Sequence, residues 1–421
     1  MATDKSSYII VGAGVFGTST ALHLIRKYPR ATISLIDRRP FPSDSAASWD
    51  WNKIIRSDYV DLIYAKLGQE ALNLWRNDPI FKPFFQEKGV IWVDTSTAGR
   101  QMVENYKHFG VDIDYDLLSV EETKKLHGGI FSEADYTGVK EVLLNKNSGW
   151  SYAKEALESA AQAATNAGVQ YICSAATSLK IDDNGTCKGV RLIDGRSISA
   201  SQTILCAGAH TARILAETAP ERDDLQAGHR LTAAAMPSSL ADLNEEDANL
   251  FGSAPGYCHE NDPKGGCIPL PSERKMKYWN MNVFTNMVTH SSGRRFSTPP
   301  DGQDNKQWDV PAGRQKEMLH LHESIFGDKG KNFKMSKYRL CWDALTPDED
   351  FIISRHPRCE GLSIGTGGSF HGYKFFPVLG KYIVQMLDGM LAPELNKKWA
   401  WDRDFSKPTS LWLDSRELNS M

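Results

Sequence analysis

The feature that most constrains this chain is Gly12-Ala13-Gly14-Val15-Phe16-Gly17, set between an apolar run and an amphipathic one. YIIVGAG is β-rich without polar interruption, the pattern of a strand covered on both faces. GVFGTSTALHLIRKY then turns helical, with Phe16, Leu22, Leu24 and Ile25 able to face a sheet. TISLIDRR supplies a second strand that ends in an acidic residue, completing a β-α-β unit. The glycines permit a tight turn, close approach of backbone to a pyrophosphate, and close helix–strand packing. The helix start offers unpaired N–H groups and a positive dipole end to phosphates. Asp37 falls where a carboxylate would meet the adenosine ribose hydroxyls, which argues against NADP but does not separate NAD from FAD. The expected cofactor contacts here are Gly12, Gly14, Val15, Phe16, Gly17, Asp37 and Arg38.

At 421 residues the chain exceeds what one hydrophobic core usually supports, so two domains are expected. A cofactor domain is assigned to 1–90, 147–225 and 335–421, and a second domain to 91–146 and 226–334. Residues 60–88 and 147–168 read as largely helical; the latter has an Asn/Ser start and a glycine stop. A net charge of −3 gives no reason to expect nucleic acid or an anionic membrane as partner. No apolar run is long enough to span a bilayer. MATDKSSYIIVGAG reads as a buried first strand and not a signal peptide. Seven cysteines without a CxxC pair suit a reducing compartment and suggest neither a disulfide framework nor a zinc site. RELNSM is not an SKL-type signal, so cytosol is expected.

Three cationic positions and one cysteine stand out. In a helical turn Lys53 and Arg56 of NKIIR would share a face, and an arginine suits a bidentate carboxylate clamp. A solvated charged face fits the same residues. Lys374 lies among aromatic residues in SFHGYKFFPVLG, where snorkelling is an equal alternative. In RKMKYW either Lys275 or Lys277 could point inward from a strand. Cys341, after the strand-like YRL, reads locally as a buried thiol or as a reactive one.

Five ordered motifs carry a resemblance over most of the chain: GAGVFG with Asp37, NKIIR, CAGAHT (206–211), a cysteine before TPDEDFII, and GGSFHGYKF. In that order they resemble the FAD-dependent amine oxidases of the monomeric sarcosine oxidase family, with its pipecolate, saccharopine and fructosyl amino acid oxidases. The resemblance implies an α/β (α+β) fold: a GR2-type Rossmann-like FAD domain and a substrate domain on an antiparallel sheet. It implies FAD joined to Cys341 through an 8α thioether, with Gly372, Tyr373, Lys374 and Lys53 near the cofactor. Arg56 and Lys374 would hold a substrate carboxylate. Lys53 would be the basic residue beside the flavin, and Lys277 the oxygen-activating lysine.

The implied reaction is oxidation of a secondary-amine amino acid to an imine, with O2 reduced to hydrogen peroxide. A fructosyl amino acid oxidase, or an amine dehydrogenase using another acceptor, is the alternative. There are two departures. Trp399-Ala400-Trp401-Asp402-Arg403 stands where those oxidases carry WRWR, which leans away from sugar adducts; GWSYA (149–153) stands where relatives carry GWADA, and Ser151 and Tyr152, if they line the site, would make a different pocket. The expected partners are a small amino acid and O2, with no metal, nucleic acid or membrane, acting on a monomer.

Overall fold

The computed structural model describes residues 6–300, 306–409 and 415–418. The termini 1–5 and 419–421, which entered the targeting expectations, lie outside the described residues. The β-α-β unit forms as its pattern predicts: β1 (Ser7–Val11), α1 (Val15–Lys27) and β2 (Thr32–Asp37). β1 and β2 pair in parallel inside a six-stranded sheet. That sheet also takes Gln170–Cys173, Gln202–Leu205, Leu362–Thr366 and an antiparallel edge strand, Ile352–Arg355. Both faces are covered, which is why these strands are apolar on both sides.

Two glycines show why the motif cannot take side chains. Gly12 has φ +103°, and a Cβ there would lie 2.3 Å from the Cys206 carbonyl oxygen. A Cβ on Gly17 would lie 1.8 Å from the Gly12 carbonyl oxygen. The helix can sit this close to the strand only because both positions lack side chains.

A second, ten-stranded sheet among the described residues is largely antiparallel. Its parallel pairs are Val90–Val93 with Gly256–His259, and Phe284–Thr285 with Arg416–Glu417. The strand Lys334–Leu345 pairs along Thr232–Asp242, with Cys341 opposite Met236. Cys341 therefore stands inside a twelve-residue strand of the larger sheet and not at a strand end. The segment from 335, assigned by sequence to the cofactor unit, thus begins in the other sheet.

Two local readings are corrected. Lys53 lies in a strand, β3 (Asn52–Ile55), where β-branched Ile54 and Ile55 favour extended backbone, so Lys53 and Arg56 do not share a helical face. β3 pairs with Gly149–Tyr152, which takes the expected helix start as a strand. The helix begins only at Ala153, where a run of buried alanines (Ala153, Ala156, Ala160, Ala161, Ala164) allows it to press against α1. The helix expected from about 60 forms as α2 (Leu62–Asn77), capped by Asp61, whose carboxylate accepts from the Ile63 and Tyr64 amides. No helix among the described residues is long and apolar enough to cross a membrane.

Candidate active site

One cavity of about 630 Å³ runs from the glycine motif to the larger sheet. Gly12, Gly14, Val15, Phe16, Asp37 and Arg38 line one end. Lys53, Arg56, Lys277, Cys341, Gly372, Tyr373 and Lys374 line the rest. Of the expected cofactor contacts only Gly17 is set back, where it packs against Gly12. The CAGAHT segment also reaches the cavity, through Cys206 to His210.

The motif end has the features an anionic dinucleotide needs. α1 has no side-chain cap and no acidic residue in its first turn, so its N–H groups are open to phosphate. Asp37 is held by the Ala13 amide at 2.8 Å and the Ser43 hydroxyl at 2.7 Å, which fixes it at the rim. The buried Ser48 hydroxyl and His210 Nδ1, both lining the cavity, have no hydrogen-bond partner among the described residues. These residues fit FAD.

Deeper in, the cations are organised by groups the sequence does not single out. The Arg56 guanidinium sits between two rings, 4.7 Å from Tyr59 and 4.5 Å from Trp92. It donates to the Asp58 carbonyl. The Asp58 carboxylate is in turn held by Tyr106 and Ser148. Lys374 Nζ lies 5.6 Å from the same Tyr59 ring and donates to the His371 carbonyl at 3.1 Å. Among the described residues neither Arg56 nor Lys374 makes a side-chain ion pair. Burial, with Arg56 nearby, pulls Lys374 well below the usual lysine range.

Lys277 and Lys53 share one carboxylate. Asp50 Oδ2 accepts from Lys277 Nζ at 2.9 Å and from Lys53 Nζ at 2.9 Å, and Lys277 also donates to the Asn52 carbonyl. Burial pushes the Asp50 carboxyl up, but Lys277, Lys53 and Arg339 outweigh it and hold it below the usual range. Burial lowers Lys277 to about 8, against the pull of Asp50. Lys53 is raised despite its burial, because Asp50 and Cys341 favour its charge. The choice left open by the period is decided: Lys277 is buried at the cavity, whereas Lys275 pairs outward with Asp242.

The remaining positions have structural partners. His371 Nε2–H donates to the Glu349 carbonyl and Nδ1 accepts from Tyr59. Burial and then Lys374 lower its pKa to about 3, so the ring is neutral. Ser151 and Tyr152 are not on the cavity wall; Ser151 instead bonds to the Tyr373 hydroxyl at 3.1 Å. In the WAWDR segment Arg403 grips Asp348 through two contacts of 2.7 Å. Glu260, Trp92 and Trp279 also line the cavity. Trp279 falls in the Trp-, Tyr- and Met-rich stretch 250–290 that suggests by sequence either an aromatic pocket or core, whereas Glu260 and Trp92 carry no local signal.

Two large sheets with a glycine-motif nucleotide site opening onto buried lysines and a cysteine define a dinucleotide-dependent redox enzyme. The chain belongs to the DAO family of FAD dependent oxidoreductases, whose model matches residues 7–386. It is 26% identical to L-saccharopine oxidase of Schizosaccharomyces pombe, over 97% of this chain and 96% of that one. It is 24% identical to human peroxisomal sarcosine oxidase, over 92% and 93%. The solved structure of fructosamine oxidase (Amadoriase II) from Aspergillus fumigatus superposes with a TM-score of 0.81 at 28% identity, covering 96% of this chain and 91% of that chain. These relatives bear out the resemblance read from the motifs, and the family makes the chain an FAD dependent oxidoreductase.

Proposed function

We propose that the enzyme oxidises the C–N bond of a secondary-amine amino acid, of the N-methyl, pipecolate or saccharopine type, using O2. The observation that carries this reading is the pair Arg56 and Lys374. Among the described residues neither the part-buried Arg56 nor the buried Lys374 has a carboxylate at ion-pairing distance, Asp58 and Glu260 acting on Arg56 only from further off, and such cations are costly unless an anion joins them. A substrate carboxylate fits: Arg56 offers a planar fork, and Lys374 a point charge across the same tyrosine ring.

FAD, when bound, supplies the acceptor for two electrons and passes them to O2. The substrate loses an amine N–H and an adjacent C–H as two electrons and two protons. O2 gains both to become H2O2, and water splits the imine into an aldehyde and an amine. The clamp orients the reacting C–H, converting a diffusive encounter into a near-attack geometry. The cationic surroundings disfavour the substrate ammonium and so favour the neutral amine that reacts. Lys277 is the fixed charge that stabilises negative charge developing on O2.

Cys341 is the residue for a thioether to FAD, supported by its place on the cavity wall with Lys53 nearby. Asp348, held by Arg403 in the WAWDR segment, lines the cavity and leaves that segment's arginine committed, which favours the amino acid reading over sugar adducts. A monomer acting on a small molecule is the form we infer.

Acid denaturation followed by centrifugation tests the attachment. Colour is expected in the pellet, and in the supernatant for Cys341→Ala. A peroxide-coupled screen of secondary-amine amino acids tests the reaction. Turnover with an artificial acceptor but no peroxide would favour a dehydrogenase.

A further inference from the structure

We propose that Asp50 is a positioning residue of the oxidative half-reaction: its buried carboxylate fixes Lys277 at the cavity and keeps it an ammonium. This rests on the reading of Lys277 given above. The geometry is specific. Asp50 is 1% exposed, and its Oδ1 is fixed by the Trp51 amide at 2.9 Å. That leaves Oδ2 to hold two lysines, each at 2.9 Å. Among the described residues Lys277 has no second carboxylate partner: its other contact is the neutral Asn52 carbonyl, and Trp279 lies 5.8 Å away.

The charged and titratable groups facing this centre come from every neighbouring element. They are Lys53 on β3, Lys277 on Lys275–Asn280, Arg339 and Cys341 on Lys334–Leu345, and Tyr373 after the Gly-Gly turn. Lys53 and Arg339 are lasting cations beside the titrating Lys277, and among the described residues Asp50 is the one acid that touches Lys277. Without it, burial and Lys53 would both oppose the ammonium. Lys53 thus competes with Lys277 for one anion, and its removal acts on Lys277 in the direction opposite to removal of Asp50.

The test uses the FAD-loaded enzyme labelled with ¹³Cε-lysine, the Lys277 resonance being assigned through Lys277→Arg. Two quantities are read against pH: the Lys277 titration midpoint, and the rate at which the reduced enzyme consumes O2. Asp50→Asn is expected to move the midpoint down by about one unit or more, a tenfold change in the charged fraction. Reoxidation near neutral pH falls and recovers as the pH is lowered. Lys53→Met is expected to move the midpoint up. Asp50→Asn combined with Lys277→Arg is expected to remove the pH dependence.

A midpoint unmoved by Asp50→Asn, with reoxidation lowered equally at every pH, would mean a merely structural role and overturn the proposal. Should Asp50→Asn fail to fold, Lys53→Met decides: an upward shift supports the proposal and no shift, or a downward one, overturns it. Lys277→Met reoxidised at the normal rate would sink the oxygen role of Lys277, while the resonance would still report on Asp50.

Discussion

Arg56 and Lys374 make different demands on substrate binding. Arg56 stays charged at any working pH, so its value lies in fork geometry and in stacking between Tyr59 and Trp92. Arg56→Lys keeps the charge and loses both. Losing a charge-assisted hydrogen bond costs about 1.5–3 kcal/mol, so kcat/KM is expected to fall ~10- to 100-fold. Lys374 is lowered by burial in the free enzyme, and a bound carboxylate restores its charge. Binding of a simple carboxylate inhibitor should therefore take up a proton above the free-state pKa of Lys374. Affinity should weaken as pH rises through the bound-state value, and calorimetry in buffers of different ionisation enthalpy measures the uptake. A Lys374→Met enzyme should lose that uptake. The residues named from sequence, Lys53, Arg56, Lys277, Cys341 and Lys374, share the cavity; the resemblance carried by the ordered motifs singles them out, where local pattern alone leaves each a bland reading. Asp50 lines the same cavity but lies outside those motifs: its partner Lys277 is 227 residues away, and no local spacing encodes such a pair.

At the scale of elements, the β-α-β start was legible because every contact that defines it is close in sequence or follows from strand and helix period. β3 was not. Four residues, Asn52–Ile55, carry too short a pattern to separate a strand from a helical turn, and pairing with Gly149–Tyr152 decides it. The same pairing removes the first residues of the expected 147–168 helix. The glycine motif allows its two roles to be separated by experiment. Gly17 does not reach the cavity, so Gly17→Ala should lower the stability of FAD-free protein as well as holoenzyme. A Cβ pressed on backbone at 1.8 Å must displace α1 from β1, at a cost of ~2 kcal/mol or more. Urea denaturation of the apoprotein measures it; a loss confined to holoenzyme would give Gly17 a cofactor contact instead.

For the whole molecule, pH dependence of stability follows from histidines buried as neutral rings. Burial lowers His356 to about 4, while His371, lowered by burial and then Lys374, lies at about 3. In the unfolded chain both return to ~6.5. Between these values the unfolded state binds protons that the folded state refuses, so stability is complete above about pH 6.5 and is lost as the pH falls. At pH 5 the loss is roughly 2 kcal/mol per histidine. Urea midpoints at pH 7.5 and pH 5 should show it, and His356→Gln should flatten the slope.

The placement of Cys341 gives the cofactor a mechanical role. The glycine motif belongs to the six-stranded sheet, while Cys341 stands on the larger one, opposite Met236. With the proposed thioether in place, FAD is a strap with one end seated in each sheet. Neither sheet can then come apart while the other remains folded without dragging the ligand from its seat. The loaded protein should melt in a single cooperative step. Cys341→Ala, which cuts the strap without emptying the site, leaves each sheet free to yield at its own temperature.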